Sequence, residues 1–290
     1  MSIEKLIGTG VALVTPFKKD LSVDYDSLAK VLKHISDGGA EYLVILGTTG
    51  ESATITPEER FQIIEFVIEN NTKNLPLVLG YGTNNTAKLK KALQSFKQYP
   101  LEAILSVSPY YNKPSQKGLL RHYQEVADVS PFPVLLYNVP PRTGSEIHAE
   151  TTIELAKHPN IIGTKEASSD LALCSEIMAN TDDDFLMISG EDGLTLPMIS
   201  LGGHGAISVI ANLQPKLFGD MVRLALAGDF KEASKLHFQL LEGYKLVSKD
   251  GNPVSLKTGM EAHNLMDRTV RQPLFEGSAD LLKEFQSYLN

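Results

Sequence analysis

A single cysteine, Cys174, serves the whole chain, so no disulfide can form within it. It falls in the apolar segment 171–177, where it reads as an inert thiol buried on a helix. Positive charge is also scarce: 27 Lys and Arg stand against 35 Asp and Glu, a formal net charge of −8. Phosphate backbones bind basic faces, which argues against nucleic acid as a partner. No apolar run approaches the roughly 18 residues of a membrane span, and 11–14 stops at Thr15-Pro16 without a basic leader before it. The expectation is a cytoplasmic protein with no membrane partner. The seven histidines lack H-x-H and H-E-x-x-H spacing, and a cysteine pair is missing, so no metal is expected. A dinucleotide glycine fingerprint is absent after the first predicted strand, and no cofactor is expected either.

What is there is a chain of 290 residues, 42% hydrophobic, enough for one α/β barrel with an appendage. Short apolar runs recur at 10–14, 42–46, 77–79, 103–107, 134–137, 161–162, 185–188 and 206–210. Continuous rather than alternating runs belong to parallel strands covered on both faces. Segments of helical length separate them. Asp24 caps a stripe of Leu28, Val31, Leu32 and Ile35, and Thr56-Pro57-Glu58-Glu59 spells a capping box ahead of Phe61, Ile64 and Val67. Leu89, Leu93 and Phe96 mark a further helix, as do Leu119, Tyr123 and Val126 after Ser115, and 215–227 closes the series. Eight strands alternating with helices predict a (β/α)8 TIM barrel over 1–228. Three helices without intervening strands, 230–247, 254–264 and 279–289, predict a helical appendage over 229–290.

In such barrels chemistry sits at the C-terminal ends of strands. Lys165 ends the apolar segment 160–167, and a lysine at the mouth of a sheet is partly desolvated. Desolvation disfavours an ammonium, and a neutral amine attacks carbonyls. Taken alone, a strand-end lysine more often snorkels into water; its company argues otherwise. Gly47-Thr48-Thr49-Gly50-Glu51-Ser52 follows the second run and offers N–H and O–H donors suited to a carboxylate, or a plain turn with a helix cap. Ser108-Pro109-Tyr110-Tyr111-Asn112-Lys113-Pro114 is a rigid loop whose phenols either pack or relay protons. After the fifth run come Tyr137, a candidate proton donor and acceptor, and Arg142, which can clamp a carboxylate. The acidic pair Glu191-Asp192 after Ser189-Gly190 reads as a helix cap. Gly202-Gly203-His204-Gly205 reads as close backbone packing around a ligand.

Six of these motifs in order over nearly the whole chain resemble the pyruvate-dependent class I aldolase family of N-acetylneuraminate lyase and dihydrodipicolinate synthase. They are Gly47-Thr48-Thr49-Gly50-Glu51, Pro109-Tyr110-Tyr111-Asn112, Tyr137-Asn138-Val139-Pro140, Arg142-Thr143-Gly144, Lys165-Glu166-Ala167 and Gly202-Gly203-His204-Gly205. The resemblance implies a Schiff base between Lys165 and pyruvate, with Tyr137 moving protons and Thr48 and Tyr111 completing a relay. It implies that Thr49 and the backbone at Ile207 hold the pyruvate carboxylate, that Gly190 lines the site, and that Arg142 holds L-aspartate 4-semialdehyde. It implies lysine and diaminopimelate biosynthesis, and a homotetramer, a dimer of dimers, in which Tyr111 reaches into a neighbouring subunit. Arg142 together with Thr48-Thr49 favours the synthase branch over sugar-acid or sialic-acid lyases. Retention of Lys165 and Tyr137 disfavours a non-catalytic keto-acid-binding barrel. Family members inhibited by lysine bind it in an interface cleft matching Ser52, Ala53, Asn84 and Tyr110. They use histidines at Pro57 and Arg60 and a glutamate at Lys88, so the resemblance implies insensitivity to lysine here.

Overall fold

The computed structural model describes residues 3–289. In these residues eight parallel strands close a barrel in sequence order: β1 (Gly8–Ala12), β2 (Tyr42–Ile45), β3 (Leu77–Gly80), β4 (Ala103–Val107), β5 (Val134–Asn138), β6 (Ile161–Glu166), β7 (Leu186–Ser189) and β8 (Gly205–Ser208). The register runs from Gly10 opposite Tyr42 round to Gly10 opposite Ile207. The intervening helices are α1 (Tyr25–Asp37), α2 (Pro57–Asn70), α3 (Thr86–Gln94), α4 (Gln116–Val129), the single turn α5 (Pro140–Thr143), α6 (Ala149–Ala156), α7 (Leu171–Ala179), α8 (Thr195–Ser200) and α9 (Pro215–Leu226). The TIM barrel expected from the runs is the fold. A C-terminal helical segment follows as α10 (Phe230–Ser248), α11 (Val254–Ala262) and α12 (Ala279–Leu289).

Local chemistry sets these boundaries. Asp24 accepts the Ser27 N–H to start α1, and Thr56 and Glu59 cap α2 reciprocally, with Pro57 at its first turn. Two apolar layers result. The larger lies between strands and helices and takes in Val11, Leu43, Ile45, Leu79, Ile104, Leu136 and Met187. The smaller fills the barrel and contains Leu6, Tyr42, Val44, Val78, Leu105, Leu135, Ile188, Ile207 and, uppermost, Tyr137. Alternation along each strand divides the layers.

One strand-end expectation holds, and two others need correction. β6 runs through Thr164 and Lys165 to Glu166, as the segment with Lys165 near its end implied, and its inner face turns polar where it reaches the barrel mouth. Gly163 is needed within it: a Cβ would lie 2.4 Å from the Leu186 carbonyl oxygen. Gly202-Gly203-His204-Gly205 leads into β8 at the opposite end from the mouth. There Gly205, at φ +132°, packs on β1, with a Cβ position only 2.0 Å from the Gly8 oxygen. Gly203 packs on α8, where a Cβ would lie 2.9 Å from the Met198 oxygen, so the close backbone packing is present but lies at the end of the barrel away from the mouth. Asp192 does not cap the helix that follows it; it accepts the N–H groups of Val209 and Ile210 at 2.7–3.3 Å, where the 3-10 turn Ile210–Asn212 begins, and ties the β7 end to the β8 end. Burial pushes its carboxyl up to about 6.

Candidate active site

Tyr137 on β5 and Lys165 on β6 are register partners, both facing into the barrel. The Lys165 ammonium nitrogen lies 4.5 Å from the centre of the Tyr137 ring, and the two residues are 5% and 8% exposed. Among the described residues no salt bridge reaches Lys165. Gly190, which follows β7, is close: a Cβ there would sit 3.0 Å from Lys165 Cε and 2.7 Å from Ala167 Cβ. The absent side chain leaves the lysine its room. Ile207, wholly buried on β8, completes the wall.

The residues that point outward at the same strand ends hold the loops. Glu166 accepts from Asn138 Nδ2 at 2.9 and 3.1 Å and from the Ser168 N–H at 2.8 Å. Burial raises its carboxyl above the usual range. Asn138 Oδ1 in turn accepts the Ile147 N–H at 3.0 Å, fixing the ends of the loop that carries Arg142. Ser145 Oγ donates to the Pro109 oxygen at 2.9 Å and ties that loop to the Tyr110-Tyr111 loop.

After β2 the chain takes a strained path, with Leu46 at φ +57° and Glu51 at φ +52° on either side of Thr48 and Thr49. Thr15 Oγ1 anchors this loop through the Gly50 oxygen at 2.8 Å. Thr49 is buried and accepts a hydrogen bond from Asn252 Nδ2 at 3.0 Å. The Asn252 carbonyl accepts from Arg142 Nη2 at 3.2 Å. Asn252, on the turn between α10 and α11, thus joins two of the expected site residues and was missed in the sequence. The Asp250-Gly251-Asn252-Pro253 turn was its only signal.

Lys165, Tyr137, Gly190 and Ile207 therefore line the mouth, and Thr48, Thr49 and Arg142 lie on the segments that follow β2 and β5 at the same end of the barrel. Tyr111 is different. It is 90% exposed at φ +73°, and among the described residues no side-chain hydrogen bond joins it to Tyr137 or Thr48. No cluster of His, Cys, Asp or Glu that could hold a metal ion occurs among the described residues.

Comparison with known proteins identifies the family. A family model described as the dihydrodipicolinate synthetase family matches residues 5–290. The 4-hydroxy-tetrahydrodipicolinate synthase of Flavobacterium psychrophilum is 47% identical over 280 residues, 96% of each chain. The chloride-inhibited dihydrodipicolinate synthase of Acinetobacter baumannii, solved in complex with pyruvate, superposes with a TM-score of 0.94 at 33% identity, covering 98% of this chain and 97% of that one. A structure described as the first monomeric dihydrodipicolinate synthase variant superposes with a TM-score of 0.94 at 31% identity, over 98% and 95%.

Proposed function

The chain belongs to the dihydrodipicolinate synthetase family, and we propose that it condenses pyruvate with L-aspartate 4-semialdehyde through a Schiff base on Lys165, the reaction of a 4-hydroxy-tetrahydrodipicolinate synthase in lysine and diaminopimelate biosynthesis. The observation that carries the reading is Lys165 itself, buried against Tyr137 at 4.5 Å. The neutral amine attacks the pyruvate ketone and water leaves, giving an iminium that serves as an electron sink. Loss of a methyl proton yields the enamine, whose carbon adds to the aldehyde. The substrate's own amine then displaces Lys165, so the product closes its ring without a separate hydrolysis.

Each step moves a proton. A phenol with an ordinary pKa of about 10 is a useful carrier only inside a relay. Tyr137 is the carrier beside the lysine, Thr48 its partner on the β2 loop, and Tyr111 of a neighbouring subunit the outer member. The exposure and left-handed backbone of Tyr111 support that last role, since a tyrosine serving its own barrel would be covered by it. Activity then depends on a subunit contact, in a homotetramer built as a dimer of dimers. Thr49 and the backbone at Ile207 hold the pyruvate carboxylate, Gly190 lines the site, and Arg142 holds the carboxylate of the aldehyde substrate. In the same reading 1–228 is the catalytic unit, 229–290 its appendage, no cofactor takes part, and the protein works in the cytoplasm. No helix among the described residues is long and apolar enough to cross a membrane.

A coupled assay with pyruvate and aspartate semialdehyde tests the reading, with sialic acid and sugar-acid aldehydes as controls. Turnover of the semialdehyde and none of the controls is expected. Turnover of a sugar acid in its place contradicts the proposal.

A further inference from the structure

Lys257, on α11, is completely buried. Its ammonium lies 2.5 Å from Glu51 Oε1, donates to the Thr269 oxygen at 2.9 Å and sits 4.1 Å above the Phe17 ring. The second oxygen of Glu51 accepts the Arg271 backbone N–H at 3.0 Å. Arg271 continues the grip on the same stretch of chain. Its guanidinium lies 4.3 Å from the Phe17 ring, donates to the Thr54 oxygen at 2.8 Å, and pairs with Glu59 at 2.5 Å. Residues 51, 54 and 59, which follow the Thr48-Thr49 loop, are thus all held from the C-terminal helical segment. Five residues before Lys257, Asn252 holds Thr49 directly.

Glu51 keeps a left-handed backbone, unusual for a residue with a Cβ, and the pull on both of its carboxylate oxygens accounts for it. A buried ion pair is seldom a better source of stability than apolar side chains of the same volume. What such a pair supplies is a defined register between the segments that carry it. The segments here are the β2 loop, two residues from Thr49, and the helix whose preceding turn presents Asn252.

We propose that Lys257 is a positioning residue: through its ion pair with Glu51 it sets the Thr48-Thr49 loop in the shape that receives pyruvate. The C-terminal segment is then part of the catalytic apparatus, not a passive cover. The inference rests on the synthase reading for what Thr48 and Thr49 do.

The test uses the full-length chain with two variants, E51Q/K257M, which removes both charges, and E51D, which keeps both and shortens the reach by one methylene. Active sites are counted by borohydride trapping of pyruvate, and kcat and KM for pyruvate are measured per trapped site. Thermal midpoints are recorded beside them. Loss of loop register predicts a pyruvate KM raised and kcat lowered by about ten- to a hundredfold, the scale expected of small misplacements. In E51Q/K257M this loss is expected although the thermal midpoint stays close to that of the unaltered protein. A merely structural pair changes the midpoint and the count of active sites, and leaves KM alone. Unaltered kcat and KM per trapped site in either folded variant overturns the proposal. Failure of the unaltered protein to trap pyruvate at all is a distinct result, which contradicts the synthase reading itself.

Discussion

Two buried lysines lie over aromatic rings in this molecule, and they do opposite things. Lys165 faces Tyr137 at the barrel mouth with no salt bridge among the described residues. Lys257 faces Phe17 at the seam between the β2 loop and α11, with Glu51 at 2.5 Å and a carbonyl oxygen at 2.9 Å. Lys165 stands at the open barrel mouth beside Tyr137 and Gly190, where a carbonyl substrate can reach its nitrogen. Lys257 is enclosed by a carboxylate, a carbonyl oxygen and a ring, which leaves its nitrogen out of reach of a substrate. Burial alone therefore does not mark a catalytic lysine; the company of the nitrogen does.

The comparison breaks most sharply at Lys165. Lys165→Ala is expected to lose at least about a thousandfold in turnover, because the covalent route is gone. Lys165→Arg should be equally inactive, since a guanidinium is not neutral at working pH. Neither change should greatly alter the urea midpoint. Lys257→Met should show the reverse weighting. It leaves Glu51 as an uncompensated buried charge, at a cost of about 3–5 kcal/mol in unfolding free energy. E51Q/K257M, lacking both charges, should recover most of that loss.

Arg142→Ala comes next. Loss of a charge-assisted clamp should cost about 2–4 kcal/mol in use of aspartate semialdehyde while pyruvate trapping persists. Equal failure with both substrates would mean that its contact with Asn252 is structural. A smaller effect lies in pH. Burial pushes Lys257 down to about 8 from 10.5. Between those values the folded protein binds fewer protons than the unfolded chain, so its stability rises with pH across that window. Urea midpoints of the unaltered protein should gain on those of E51Q/K257M from pH 8 to 10. The least effect is expected at a third lysine, Lys88, exposed on α3. With Lys88 and Arg60 standing where the family resemblance implies acidic and imidazole partners for bound lysine, free lysine should not half-inhibit below about 1 mM, near −4 kcal/mol.

The barrel was legible because its eight strands are apolar on both faces, and a run of Val, Ile and Leu looks the same in any context. The mouth was legible through its motifs: Tyr137 and Lys165 are register partners there, and Thr49 and Arg142 share a contact with Asn252. What escaped is tertiary. The glycines at 202–205 pack at the far end of the barrel, which their composition does not reveal. Asn252 and Lys257 reach the site from more than 200 residues downstream of Thr49 and Glu51. In the sequence, Val254-Ser255-Leu256-Lys257 reads as an ordinary amphipathic turn with its lysine in water. Its burial is set by Phe17, Glu51 and Thr269, none of them near it in the chain.

The most direct test of the central claim is reduction with borohydride in the presence of pyruvate, followed by peptide mass mapping. The account predicts one reduced pyruvate adduct per chain, carried on the peptide containing Lys165 and absent from that containing Lys257. An adduct on any other lysine, or undiminished trapping in Lys165→Ala, would contradict it.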